Sequence, residues 1–107
     1  MRQNSVQLIG YVGADPVISL AKNGTKRAMM RVATHIPYHD GNRKKWMTTW
    51  HKVVAWATHA DYAERSFVKG SHILVAGALV YQTVKNASGQ EIPVAHVNAH
   101  SLINLDR

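Results

Sequence analysis

Residues 47–56 read Met-Thr-Thr-Trp-His-Lys-Val-Val-Ala-Trp. This run is rich in β-branched and aromatic residues, so it predicts one long β-strand. Alternate side chains of a continuous strand share a face, which groups Trp50 and Trp56 together and leaves His51 on the other side. One of the two faces must form the interior of the fold. The residues alone leave open whether the tryptophans are core residues or an exposed pair.

Similar apolar segments, separated by turn-forming residues, predict strands before and after this one. Gly10 and Gly13 mark a bend in the first strand, and Asp15-Pro16 ends it. Turns are expected at residues 22–25 and 86–89, and an exposed polar loop at residues 37–45. The additional strands are predicted at 6–12, 17–20, 26–34, 72–83 and 92–103.

One segment has helical spacing. Thr58 is a candidate N-cap, and Gly70 is the expected stop. The helical face would consist of Ala60, Ala63, Phe67 and Val68. The resulting order predicts an all-β, five-stranded OB-fold barrel with one short helix between its third and fourth strands. Residues 1–107 are expected to form this single domain.

The charge of the chain is strongly asymmetric. Residues 1–52 contain nine Lys and Arg against two Asp, a balance of +7, whereas residues 53–107 contain four basic and four acidic residues. A basic field confined to half of a chain indicates a polyanionic partner. There is no cysteine and no apolar run of membrane-spanning length, so we expect a cytoplasmic, nucleoid-associated protein with no membrane partner.

Several motifs, in order and spacing, are similar to those of the bacterial single-stranded-DNA-binding protein family. The most specific is Thr48–Trp56, and the match extends over nearly the whole chain. The other matching stretches are 6–10, 13–16, 23–24, 32–34, 67–71, 76–77 and 88–90. The resemblance implies an OB-fold, a homo-oligomer that is usually a tetramer, and binding of single-stranded DNA with little sequence preference.

The resemblance also implies site residues. The family's base-stacking aromatic positions fall on Tyr38, Trp50 and Trp56, and its basic positions fall on Lys52 and Lys69. From the residues themselves, Trp46 beside three consecutive cations is a candidate clamp for a nucleic-acid strand. The remaining candidate DNA-binding residues are Arg31, Arg43, Lys44 and Lys45, and the candidate oligomer contacts are Val6, Leu8 and His51.

Two features depart from the family pattern. The fourth barrel strand usually carries arginines and a stacking tryptophan, but these positions fall here on Val80, Gln82 and Val84; Tyr81 and Trp46 are candidates to replace them. The family also typically continues into an acidic tail that recruits replication and repair proteins. This chain resembles a short member without that tail, or one from which the tail was removed.

These observations favour a protein that covers unwound DNA during replication, recombination or repair. The alternative is a primosome-type accessory protein that bridges DNA and a helicase, and a third hypothesis is an OB-fold nuclease. The scattered carboxylates and the absence of a catalytic motif favour a protein that is not an enzyme. The histidine pairs 35/39 and 96/100 lie on predicted strands, where four-residue spacing separates them by about 13 Å, so no metal or cofactor is expected.

Overall fold

The computed structural model describes residues 3–106. It contains one helix and six strands, and the predicted all-β barrel with one helix is confirmed. The elements are β1 (Val6–Val12), β2 (Val17–Leu20), β3 (Lys26–Asp40), β4 (Arg43–Trp56), α1 (Thr58–Ser66), β5 (His72–Lys85) and β6 (Glu91–Asn104).

The strands close into a barrel through pairings at both ends of the sheet. β1 pairs with β5 along most of its length and with β3 at Tyr11 and Val12. β4 pairs with β3 in antiparallel fashion and with β6 in parallel fashion at Val53 and Val54. The sheet therefore returns on itself and leaves few open edges.

The first barrel strand is broken into two pieces. Residues 13–16 interrupt it, and β2 continues beside β3 after the break. The backbone N–H of Gly13 donates to the Arg31 carbonyl oxygen at 2.9 Å, which keeps the interruption close to β3. With β1 and β2 counted as one broken strand, the barrel has five strands, and α1 follows the third of them, β4.

Small and β-branched side chains fill the barrel, which suits the limited interior of five strands. Met30, Val53, Ile73 and Val75 are fully buried, and Phe67 closes the barrel beneath α1. Ala28, Met30 and Val32 of β3 are buried at every second position, and their register partners on β4 lie on the same inner side. The intervening residues of both strands face outward, although Val54 among them is also buried.

The prediction of an exposed loop at residues 37–45 is wrong. β3 and β4 remain paired out to Asp40 and Arg43, and the connection is a two-residue turn in which Gly41 has φ 64°. Polar and charged residues suggested a loop, but a tight turn with a glycine at positive φ allows both strands to continue. A long hairpin therefore extends beyond the barrel.

The helix is shorter than predicted, and its start differs. The N-cap is Ala57, with no side-chain hydrogen bond, so Thr58 is not the cap. The helix ends at Ser66 because Phe67 adopts an extended backbone conformation, and Val68 is exposed. Ala60 and Ala63 are buried as predicted, while Phe67 enters the core from beyond the helix.

Lys26 connects the helix to the barrel. Its Nζ lies 2.8 Å from carboxylate oxygens of both Asp61 and Glu64. These two acceptors, Asp61 first, raise the pKa of Lys26 to about 12. The only close pair of acids on the helix is therefore occupied by a structural cation.

No helix in residues 3–106 has the length and apolar character needed to cross a membrane.

Candidate nucleic-acid interface

The pairing of β3 with β4 determines which side chains share a face. Partners in an antiparallel pair lie on the same side of the sheet, and the buried pair Met30 and Val53 defines the inner side. Residues one step along each strand must face outward. We call this outward-facing side the β3–β4 outer face; its basic and tryptophan residues are Arg27, Arg31, Lys44, Trp46, Trp50, Lys52 and Trp56.

Trp50 lies near the centre of this face and is not a core residue. Its side chain is 54% exposed, and it lines a shallow depression with Gly13, Ala14 and Arg31. A Cβ atom built on Gly13 would overlap the indole ring. The six-membered part of the indole therefore packs closely against the Gly13 backbone, and the exposed remainder of the ring is available to an unpaired base.

Trp56 lies farther along the same face. It is 36% exposed, and the guanidinium carbon of Arg27 lies 6.0 Å from the ring centroid. This distance is at the outer limit of a cation–π contact. Trp56 therefore combines a partly exposed aromatic surface with an adjacent positive charge.

Trp46 lies on the same side of the hairpin beyond the barrel. Lys44 Nζ is 5.1 Å from the centroid of its ring, and the ring is exposed. Arg31 and Lys52 are register partners between Trp50 and Trp56. Neither Arg31 nor Lys52 forms an ion pair with another residue in the described range 3–106. The face thus alternates aromatic rings with free cations, as a single-strand binding surface requires.

The structure does not bring every candidate residue to this face. Tyr38 pairs with Lys45, and both lie on the opposite side of the hairpin from Trp46. Lys45 Nζ also forms a salt bridge to Asp40 at 3.0 Å. Arg43 adjoins the turn on the side of Lys45. Tyr38 was grouped with the tryptophans by the resemblance, and Arg43 and Lys45 were grouped with them as cations next to Trp46. A predicted loop carries no information about register that would have separated them.

Lys69 follows the helix and lies away from the strands. Its backbone N–H donates to Asp15 Oδ1 at 2.8 Å, so it adjoins the segment that contains Gly13. Its exposed side chain belongs to the loop between α1 and β5 rather than to the β3–β4 outer face.

The outer side continues across β6 and β5. Val54 pairs with Asn98, and Val80 pairs with His96, so these outward positions follow one another around the barrel. Val80, Gln82 and Val84 therefore share the outer side, as the family positions predict. Tyr81 is 71% exposed but faces the other side of its hairpin, so it does not replace an aromatic ring at Val84.

Sequence reasoning missed three outward residues: Arg27, His96 and Asn98. Arg27 had a usable signal, because it is four residues from Arg31 and shares its face on a continuous strand. His96 and Asn98 had none, since they reach the site only through the parallel pairing of β6 with β4.

His96 is a buried titratable group at this site, with only 9% of its surface exposed. Burial, followed by the charges of Lys52 and Arg27, lowers the pKa of His96 below its ordinary value of 6.5. It is therefore neutral at physiological pH, among cations that attract phosphate.

The predicted oligomer contacts have other roles within the chain. The side chains of Val6 and Leu8 pack against the barrel core. His51 faces inward, and its Nε2 lies 2.8 Å from Thr34 Oγ1. The outward residues on this side of the barrel include Ile9, Tyr11 and Ile103, all of them exposed.

In residues 3–106, no three His, Asp or Glu side chains are grouped so that they could hold a metal ion.

Comparison with known proteins agrees with this geometry. The model of the single-strand binding protein family matches residues 3–105. The chain belongs to the single-strand binding protein family. A relative, the single-stranded DNA-binding protein 1 of Xylella fastidiosa (strain 9a5c), is 40% identical over 79 residues, which cover 71% of this chain and 57% of that protein. The match thus spans little more than half of the relative's length.

A solved structure extends the family relationship to the whole fold. Plasmodium falciparum SSB in complex with ssDNA superimposes with a TM-score of 0.89 at 27% identity. The match covers 99% of this chain and 97% of that one. This member of the single-strand binding protein family therefore retains the family fold throughout its described residues.

Proposed function

We propose that this protein binds single-stranded DNA with little sequence preference and covers it stoichiometrically during replication, recombination or repair. The observation that carries this function is the β3–β4 outer face, where exposed tryptophans alternate with unpaired cations. Membership of the single-strand binding protein family and the likeness to an SSB–ssDNA complex support it.

The chemistry of this face selects unpaired bases. A base exposes its flat surfaces to an indole ring only when it is not stacked within a duplex, and every base has such a surface. Arg31 and Lys52 attract the phosphates of the same strand. Trp50 and Trp56 lie six residues apart on β4, which separates them by about 20 Å at about 3.3 Å per residue. They therefore serve different nucleotides of one strand.

Competition binding tests this function. A labelled single-stranded oligonucleotide should bind with high affinity in fluorescence anisotropy, and unlabelled single strands of any sequence should displace it. The same sequence as a duplex should compete weakly. Equal competition by duplex and single strand would mean that the surface is a general polyanion site.

We further propose that the protein acts as a homo-oligomer, preferably a tetramer. The edge of β1 opposite β5 is paired only at Tyr11 and Val12, so residues 6–10 present open backbone groups. The adjacent outward residues Ile9 and Ile103 are exposed and apolar. A second copy would cover both features. Light scattering should show a tetramer, and Ile9→Lys should reduce the mass; a wild-type monomer at micromolar concentration would contradict assembly.

We propose that binding occurs without catalytic turnover, at the nucleoid. Asp61 and Glu64, the closest pair of acids in the sequence, both contact Lys26. They are thus neutralised by a cation rather than free to bind a catalytic metal. Single strands incubated with the protein and Mg²⁺ should remain intact.

The second candidate function is an accessory protein that bridges DNA and a helicase. Val80, Gln82 and Val84 favour it, because they shorten the basic and aromatic path on β5. Pull-down of replication proteins in the absence of DNA would support the accessory function, and recovery only through DNA would support the first.

A further inference from the structure

A cleft lies on the outer side of the barrel where the β3–β4 and β5–β6 hairpins diverge. Its deeper part is formed by the buried residues Val54 and His96 and by Asn98, which is partly buried. Its more exposed rim is formed by Trp56 and Arg27 on one side and by Val80 and Gln82 on the other. The cleft therefore begins beside a stacking ring and ends at polar groups below it.

Two of these polar groups are buried without a partner. His96 Nδ1 and Asn98 Oδ1 have almost no contact with solvent, and neither is hydrogen-bonded to any residue in the described part of the chain. His96 itself is nine-tenths buried. Leaving such groups unpaired destabilises the fold. Rotation of either side chain about χ2 turns the buried atom into the cleft, where an occupant can supply its hydrogen bond.

We propose that this cleft is a base-edge subsite, in which a nucleobase stacked on Trp56 directs its hydrogen-bonding edge towards Asn98 and His96. The subsite rests on the proposed binding of single-stranded DNA and deepens it. Stacking tolerates every base, but a hydrogen-bonded edge does not. The protein therefore binds all sequences and still has a graded preference among the four bases.

The chemistry of the cleft fits a base better than a phosphate. Asn98 Oδ1 is an acceptor, and a phosphate diester brings no donor to it. The edge of each DNA base combines N–H donors with oxygen or nitrogen acceptors. A neutral His96 presents one donor and one acceptor nitrogen, and the lowered pKa keeps it in that form. Gln82 offers a further amide at the rim.

The test measures affinities for equal-length oligomers of dA, dC, dG and dT. The affinity of each variant for an oligomer is divided by the wild-type affinity for the same oligomer. This ratio removes differences in the stacking of the free strands. Asn98→Leu removes the buried acceptor while keeping the side-chain size. The expected losses differ among the four bases, by about 2- to 12-fold between the most and least affected, as one hydrogen bond allows.

Two further variants keep the test decisive. Gln82→Leu changes an exposed rim amide without disturbing the core and should also weaken the four oligomers unequally. Val80→Ala alters the same cleft without removing a hydrogen bond, so it should change all four by one common factor. Circular dichroism melting identifies any variant that does not fold.

The outcomes separate this inference from the proposed function. Unequal losses for Asn98→Leu and Gln82→Leu, with a common factor for Val80→Ala, support the subsite. A common factor for all three variants would show that water satisfies the polar groups, and would overturn the subsite while single-strand binding stands. Failure of the wild type to bind any oligomer would overturn the proposed function itself.

Discussion

The two long hairpins of this barrel present very different surfaces on the same outer side. The β3–β4 hairpin carries Trp46, Trp50 and Trp56 with free cations between them. The β5–β6 hairpin carries Val80, Gln82 and Val84, with His96 and Asn98 at its base. Strand alternation determines which side of the sheet each side chain faces. The residue types at those positions determine the chemistry of that side. We infer that the first hairpin supplies most of the affinity and the second supplies discrimination.

The largest effect should come from the tryptophans. Trp50→Ala and Trp56→Ala should each weaken single-strand binding by about 1–3 kcal/mol, because each ring stacks on a base. The dependence on salt should change little. Tyr81→Ala is the matched control, since it removes an exposed ring from the other side of β5. Fluorescence anisotropy measures the affinities. An equal loss of affinity in all three variants would contradict the proposed difference between the hairpins.

The next largest effect should come from removing positive charges on the β3–β4 outer face. Arg31→Gln and Lys52→Gln should each reduce the slope of log affinity against log salt by about 0.7, the value for one phosphate contact on a single strand. Lys85→Gln makes the same charge change on the β5–β6 hairpin and should leave the slope nearly unchanged. Titrations at several salt concentrations measure this, and an equal loss from Lys85→Gln would contradict a cationic path on one hairpin alone.

A smaller effect should follow from Gly13. The methyl group of Gly13→Ala would overlap the ring of Trp50 and force it to move. Binding should weaken, though less than in Trp50→Ala, where the ring is lost. The double variant should bind no more weakly than Trp50→Ala alone, because the two changes act through one ring. Additive losses would mean that Gly13 acts independently of Trp50.

The smallest effect concerns stability and pH. The pKa of His96 is lowered in the folded protein, so the unfolded chain binds its proton more readily below the ordinary value of 6.5. The free energy of unfolding contributed by neutral His96 is therefore complete above about pH 6.5 and decreases as the pH falls below it. His96→Gln should flatten that decrease in urea unfolding curves measured between about pH 7.5 and pH 5.5. Parallel curves for variant and wild type would exclude His96 as the source.

Short-range patterns were sufficient to predict the strands and the shared face of Trp50 and Trp56, whereas the exposure of that face followed only from the family resemblance. Alternation along residues 50–56 placed Trp50 and Trp56 together, and the β3–β4 pairing confirms that they share a face. The helix was predicted partly from Ala60 and Ala63, because their three-residue spacing is a signal contained in a short segment of sequence. Its end was wrong because Phe67 is drawn into the barrel core, and this tertiary contact has no local signal.

The rest depended on pairing between distant segments. The resemblance grouped Tyr38 with the tryptophans, and the loop predicted there gave no register that would have placed it on the opposite side from Trp46. The cleft at His96 and Asn98 forms where β6 runs parallel to β4, more than 40 residues away in the chain. Among seven histidines of similar appearance, no sequence feature distinguishes the one that becomes buried in a cleft.

The most direct test of the stacking account is the fluorescence of single-tryptophan variants. One variant keeps Trp50 and another keeps Trp56, with phenylalanine at the two remaining tryptophan positions. Addition of single-stranded oligonucleotide should quench the emission of each, saturating at the same stoichiometry as the anisotropy change, because each indole stacks on a base. Emission that stays unchanged while anisotropy reports full binding would contradict base stacking on the β3–β4 outer face.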